Sequence, residues 1–332
     1  MPPATRRPIL ASLAATAVLT ACGWRPWEGR PMSVRAPAPT AQAAPTTSGP
    51  PPVLPTLIAP AGLMDTTVPY TLRQERAIGK YAIRLWRPPP ADRGASSFDG
   101  TVTLAAVGQP AIVIPWATAI DPLTGTDLTG EGTPDLVVQS FTGGAHCCFQ
   151  TLVYDLGVAL TPVLRTPPSN CLGKFEDVDR DGRREFVTCD DLFAYAYCPF
   201  AFSPMPKVVL AYERGRGFVP AGPRFAAAYA DDIAAHTRAL EAAATAPATP
   251  SGVFPSPDRC AVLALVLDHL YAGQTATAWA AFERFYPQPG APSFRADIEA
   301  QVGASPLYAL PGAERIPVVA GDAPATLAGT NP

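Results

Sequence analysis

The stretch Asp177-Val178-Asp179-Arg180-Asp181-Gly182-Arg183-Arg184-Glu185-Phe186-Val187 decides the fold. Acidic side chains at its first, third, fifth and ninth places, glycine at its sixth and an apolar run directly after spell a tight loop opening into a strand. Hard cations such as calcium take roughly six to eight oxygen ligands, and alternate carboxylates on a curved loop aim at one point. Gly182 permits the sharp turn, and the carbonyl of Arg183 stands where such loops donate a backbone oxygen. The twelfth place holds Thr188 instead of glutamate, so this is not a complete EF-hand loop. Calcium is the cofactor expected here, with Asp177, Asp179, Asp181, Arg183 and Glu185 as its ligands. A metal-free acidic turn is the alternative, because Asp and Gly favour turns on their own.

Working outward, the same grammar begins upstream at Asp127 with the string DLTGEGTPDLVV. Asp127, Glu131 and Asp135 keep three acidic places, while Thr129 replaces an acid at the third. Fewer charges weaken cation binding, so Asp127, Thr129, Glu131 and Asp135 make either a weaker calcium site or a structural turn. Farther on, Tyr154-Asp155-Leu156-Gly157 matches Tyr212-Glu213-Arg214-Gly215. Two repeats, about 127–157 and 177–215, each read as turn, strand, variable insert, strand and tight turn. Internal repeats of short strands indicate a propeller-like or stacked β architecture.

The loop that ends at its ninth residue and runs straight into a strand resembles those of FG-GAP and VCBS repeats. The segment Gly143-Gly144-Ala145-His146-Cys147-Cys148 is similar to one that follows the first acidic loop in some FG-GAP-like bacterial lipoproteins. The resemblance covers roughly residues 100 to 220. It implies blade-like β units with calcium rigidifying their turns, often in surface or adhesion proteins. Two copies cannot close a propeller of about four or more blades, so a small antiparallel β domain is expected, with strands before Asp127 completing it.

Short runs rich in β-branched and aromatic residues support that reading: Tyr81-Ala82-Ile83-Arg84-Leu85-Trp86, Thr101-Val102-Thr103-Leu104 and Ala111-Ile112-Val113-Ile114. After Arg224 the texture becomes alanine-rich and helical. Ser256 followed by Pro257 reads as a helix start, the run 260–267 is apolar on every side, and Gly273 separates it from a second helix ending near Tyr286. Ser293 is expected to cap a third. The fold class is therefore α+β: a β domain over 70–222, a helical region over 223–310 built on a hairpin, and a tail over 311–332.

The N-terminus speaks of export. Arg6 and Arg7 precede an apolar run, 9–21, too short for a mature membrane span, and Leu19-Thr20-Ala21-Cys22 resembles the lipobox of bacterial lipoproteins. That resemblance implies cleavage after residue 21 and a lipid on Cys22, with an ordinary signal peptide as the alternative. Segment 22–69 then holds 11 prolines after Trp24 and little apolar periodicity, the composition of a semi-extended linker. Gly23 lacks the aspartate that signals inner-membrane retention in some bacteria, which leans toward the outer membrane. The expected location is the cell envelope, anchored by lipid on the extracytoplasmic side.

Of 7 cysteines, assigning Cys22 to lipid leaves Cys147, Cys148, Cys171, Cys189, Cys198 and Cys260, an even set suited to disulfides in an oxidising compartment. Cys171 and Cys189 flank the second acidic loop and are the favoured pair. Adjacent Cys147 and Cys148, if on a strand, point to opposite faces and favour distant partners. A zinc or copper site on His146 with cysteines competes with oxidation there. Asp190-Asp191 and Asp231-Asp232 read as solvated or helix-capping pairs, and His236 and His269 as surface or cap residues. Catalytic signatures such as GxSxG, HExxH, Walker and dinucleotide loops are absent. A formal charge of −3 offers no basic face for nucleic acid. The function expected is a calcium-stabilised envelope lipoprotein that binds a protein or glycan of the envelope, or serves as a structural part. A secreted calcium-dependent hydrolase of glycan or peptide is the alternative.

Overall fold

A computed structural model describes residues 70–88, 100–107, 109, 111–141, 143, 148–245 and 257–309. Cys22, His146, Cys147 and Ser256 lie outside the described residues, as do the signal and linker segments.

Among the described residues, twelve strands form three four-stranded antiparallel meanders. The first contains β1 (Thr71–Ile78), β2 (Tyr81–Arg87), β3 (Thr101–Ala106) and β4 (Ile112–Pro115). The second contains β5 (Ala117–Ile120), β6 (Asp135–Phe141), β7 (Phe149–Leu156) and β8 (Leu160–Arg165). The third contains β9 (Lys174–Glu176), β10 (Glu185–Cys189), β11 (Lys207–Glu213) and β12 (Gly217–Pro220). Within each sheet, strands lie side by side in chain order, the up-and-down arrangement of a propeller blade.

Strand periodicity explains the layering. Side chains alternate faces along a strand, so Leu136 and Val138 of β6 join one core while Val137 joins another. The first core sets Tyr81, Ile83, Leu85, Val102 and Leu104 of sheet one against Leu136, Val138, Leu152 and Tyr154 of sheet two. The second runs from the opposite face of sheet two, at Val137, Val153 and Leu164, through sheet three and into the helices. Sheet three buries both faces, which is why Val208, Val209, Leu210 and Ala211 are buried in succession. Phe175 meets Phe186 and Phe218 edge to face at 5.1 and 5.6 Å. Such pairs contribute roughly 0.5–1.5 kcal/mol each beyond burial.

Glycine sets the contact between sheets two and three. Gly217 opens β12 at φ 81°, and a Cβ there would stand 2.6 Å from the Val163 carbonyl oxygen. Only a residue without a side chain brings β12 so close to β8 in that conformation.

The helical layer begins with 3₁₀ turns over Gly222–Tyr229, then α1 (Ala230–Thr245), α2 (Pro257–Tyr271), α3 (Thr275–Phe285) and α4 (Ala291–Ala304). The expected hairpin is α2–α3, turned at Gly273 with φ 76°, and α1 and α4 flank it. Val262, Leu263, Leu265, Val266 and Leu267 are buried, as the all-round apolar run requires. Ser293 does not cap α4; the helix starts two residues earlier, with Pro292 in its first turn and Gly290 before it. No helix among the described residues is long and apolar enough to cross a membrane.

Two disulfides link described cysteines: Cys171–Cys189 at the base of the β9–β10 hairpin, and Cys198–Cys260 between the β10–β11 insert and α2. Cys148 is disulfide-bonded as well. Cross-links of this number belong to an oxidising, extracytoplasmic environment.

Candidate metal centre

Both acidic loops sit at the same station of their sheets. The first joins β5 to β6 and the second joins β9 to β10, so stacking the sheets sets the loops side by side. Their backbones repeat each other. The fourth place has φ 72° at Gly130 and 64° at Arg180; the sixth has 88° at Gly132 and 89° at Gly182. At the ninth place, Asp135 Oδ2 accepts the Leu128 N–H at 2.7 Å and Glu185 Oε2 accepts the Val178 N–H at 3.0 Å. The turns Tyr154–Gly157 and Tyr212–Gly215 likewise lead from third strand to fourth in each sheet. The two loops thus share their positive-φ positions and the hydrogen bond at the ninth place.

The loops diverge in what their oxygens do. In the second, carboxylate oxygens of Asp177, Asp179 and Glu185 all lie within 4.8 Å of one another. Two oxygens facing each other across a calcium ion stand roughly 4.8 Å apart, twice the usual contact distance. Backbone N–H groups of the loop hold the three carboxylates in place. Asp177 accepts from the Gly182 N–H at 3.1 Å, Asp179 from the Asp181 N–H at 3.3 Å, and Glu185 from Val178. A carboxylate has about four acceptor positions, so each keeps capacity for a cation. Asp177 and Asp179 are exposed, while Glu185 is buried beneath them. Burial, followed by the nearby Asp179 and Asp181 charges, pushes the Glu185 carboxyl above its ordinary value. A divalent cation at this point would reverse that push by supplying the missing positive charge. Carboxylate oxygens are hard donors and suit a hard cation better than a soft metal.

Asp181 is not in the three-carboxylate cluster; its Oδ1 accepts the Arg183 N–H at 2.8 Å. The side chain of Arg183 crosses to the first loop, where Nη2 donates to the Thr129 carbonyl at 3.2 Å and lies beside Gly130.

In the first loop, the turn itself occupies Asp127. Asp127 Oδ1 accepts from Thr129 Oγ1 at 3.2 Å, Gly130 N at 2.7 Å and Glu131 N at 3.2 Å, and Oδ2 accepts from Gly132 N at 2.8 Å. Glu131 faces Arg214 at 3.6 Å. Asp135 is fully buried, its Oδ1 lacks a hydrogen-bond partner, and burial pushes its carboxyl up to about 7. Among the described residues, Asp127, Thr129, Glu131 and Asp135 do not form a second convergent cluster of three or more ligand groups.

Several residues took roles that the sequence did not signal. Asp190 is no solvated partner of Asp191. It is buried, and its Oδ2 accepts from Tyr271 Oη at 2.5 Å and from Ser305 Oγ, tying the β10–β11 insert to α2 and the end of α4. Asp191 holds Asn170 through its backbone N–H and side-chain amide, both at 2.7 Å. His269 is buried, with Nδ1 against Gln274 Oε1 at 2.7 Å, and His236 pairs with Asp268 at 2.6 Å. Each depends on a partner distant in sequence or past a turn.

No family model matches the chain, and no solved structure matches it. An 84-residue stretch is 29% identical to part of a protein described as uncharacterized protein y4bJ, from Sinorhizobium fredii (strain NBRC 101917 / NGR234). The match covers 25% of this chain and 13% of that protein's length.

Proposed function

We propose that the chain is an exported envelope protein, held at a membrane through a lipid on Cys22, whose β stack is locked by calcium in the second acidic loop and serves as a binding or structural component. The convergence of the Asp177, Asp179 and Glu185 carboxylates carries the calcium reading. The disulfides support an extracytoplasmic location, where millimolar calcium is available to loops of modest affinity. Blade-like sheets with a cation at a turn supply rigidity, and a rigid stack presents the inserts between its strands to a protein or glycan partner. The FG-GAP and VCBS resemblance, the lipobox and the proline-rich linker favour the same reading.

Calorimetric titration of calcium into the purified chain tests the metal. Saturable binding that Asp179→Asn weakens at least tenfold, with a melting temperature that falls in chelator, is the expected result. Asp179 is exposed, so its loss does not itself unfold the loop. Absence of a heat of binding at millimolar calcium, together with an unchanged melt in chelator, would reduce the loop to an acidic turn.

A further inference from the structure

Helix α1 is fastened to the fold by charge more than by apolar contact. Of its described side chains only Leu240 is buried. Three polar ties reach it from three different elements. Lys207 of β11 meets Asp232 at 2.7 Å, Asp268 of α2 meets His236 at 2.6 Å, and Arg284 of α3 meets Glu241 at 2.9 Å. Asp232, His236 and Leu240 recur every fourth residue, so they share one stripe of the helix.

The central tie differs from the other two. Both partners of the Arg284–Glu241 pair are largely exposed, and such pairs contribute little. Asp268, by contrast, has a side chain only 5% exposed, whereas the His236 ring is 40% exposed. A buried carboxylate thus takes its countercharge from the one side chain that ordinarily titrates near neutrality. Asp268 from α2 and Asp232 from its own helix act on His236 directly, and Lys207 from β11 and the Tyr229 phenol from the 3₁₀ turns act in turn on those two carboxylates. Lys207 also donates to the Ala228 carbonyl at 2.7 Å, which anchors the start of α1 independently of His236.

We propose that α1 is a pH-released strap, clamped across α2 while the His236 ring carries its second proton and loosened once that proton leaves. A neutral ring still offers one hydrogen bond, but Asp268 then keeps its buried charge with only the Lys207 ammonium left to offset it, and undocking α1 rehydrates it. The hydrogen bond to Asp268 holds the His236 pKa above its ordinary range. The clamp's contribution is therefore complete below about 6.5, the ordinary histidine value, and is lost as pH rises through the higher value of the folded state.

Hydrogen exchange of the full chain at pH values of about 6, 7.5 and 9 reads the strap, each amide normalised to its unstructured rate. The opening constant of α1 amides is expected to rise steadily across that range, while that of α4 stays level. Asp268→Asn, which keeps the hydrogen bond and removes the buried charge, should flatten the profile. His236→Gln, at a partly exposed position, gives a second reading if the first variant folds poorly, and should leave α1 weakly protected at every pH. A flat wild-type profile, or the same rise in the variants as in the wild type, overturns the proposal.

Discussion

The Cys171–Cys189 cross-link should carry a large share of the stability of the third sheet. Strand β9 is the edge of that sheet and pairs with β10 over three residues only: Lys174 with Val187, Phe175 with Phe186, and Glu176 with Glu185. The acidic loop closes one end of this short ladder, and the disulfide closes the other, with Cα atoms 5.7 Å apart. The bridged residues are separated by 18 positions, and removing a constraint of that length frees about 3 kcal/mol of chain entropy in the unfolded state. For a folded part of this size, the variant Cys171→Ala/Cys189→Ala should melt roughly 6–12 °C lower. Hydrogen exchange should show the first loss at Phe175, whose ring packs on Phe186 and Phe218. The matched variant Cys198→Ala/Cys260→Ala opens a separation of 62 and should cost about 4 kcal/mol, with its first loss between the β10–β11 insert and α2. A Cys171/Cys189 variant that melts within roughly 2 °C of wild type would refute the reasoning, because chain entropy scaled to loop length sets the size of the effect. It would mean that the acidic turn and the Phe cluster alone hold β9.

Gly173→Ala should destabilise by about 1–3 kcal/mol in a denaturant titration, because its Cβ would stand 1.9 Å from Cζ of the fully buried Phe186. Asp135→Asn tests the buried acid of the first loop in chelator. The folded-state pKa of about 7 exceeds the ordinary 3.8, so the native state holds a proton that the unfolded chain has released. Wild-type stability should therefore fall relative to the variant as pH rises from about 4 to about 7, by at most ~1.4 kcal/mol per pH unit, and level off above. Melting curves of the two proteins across that interval should converge at the acid end; parallel curves would show that Asp135 is ionised in the fold.

Sequence legibility followed the range of the interactions. The acidic loops were readable because a loop of nine residues supplies its own turn bonds: Gly182 and Gly132 sit at positive φ where the spacing puts them. The second and third sheets announced themselves through the strands that follow the acidic loops, and β2, β3 and β4 through local β-branched composition. Strand β1 (TLRQERAI) escaped notice because it lies at a sheet edge, largely exposed, and carries no apolar alternation. Pairing Cys171 with Cys189 was also a local inference, since the hairpin between them brings its own ends together.

Tertiary structure alone decided the rest. The guanidinium of Arg183 reaches the Thr129 carbonyl of the neighbouring sheet, a contact that its place in its own loop does not announce. Whether Asp127 is free for a cation depended on how many backbone N–H groups the folded turn aims at it. Asp190 reads as an exposed acid beside another acid, and only the docking of α2 and α4 buries it under Tyr271 and Ser305. The same holds for Asp268 and His236, 32 residues apart. The physical reason is common to all of them. Loop shape and strand periodicity arise from dihedral preferences and hydrogen bonds within a few residues. The protonation, burial and partnership of a polar group depend on which distant surface removes its water.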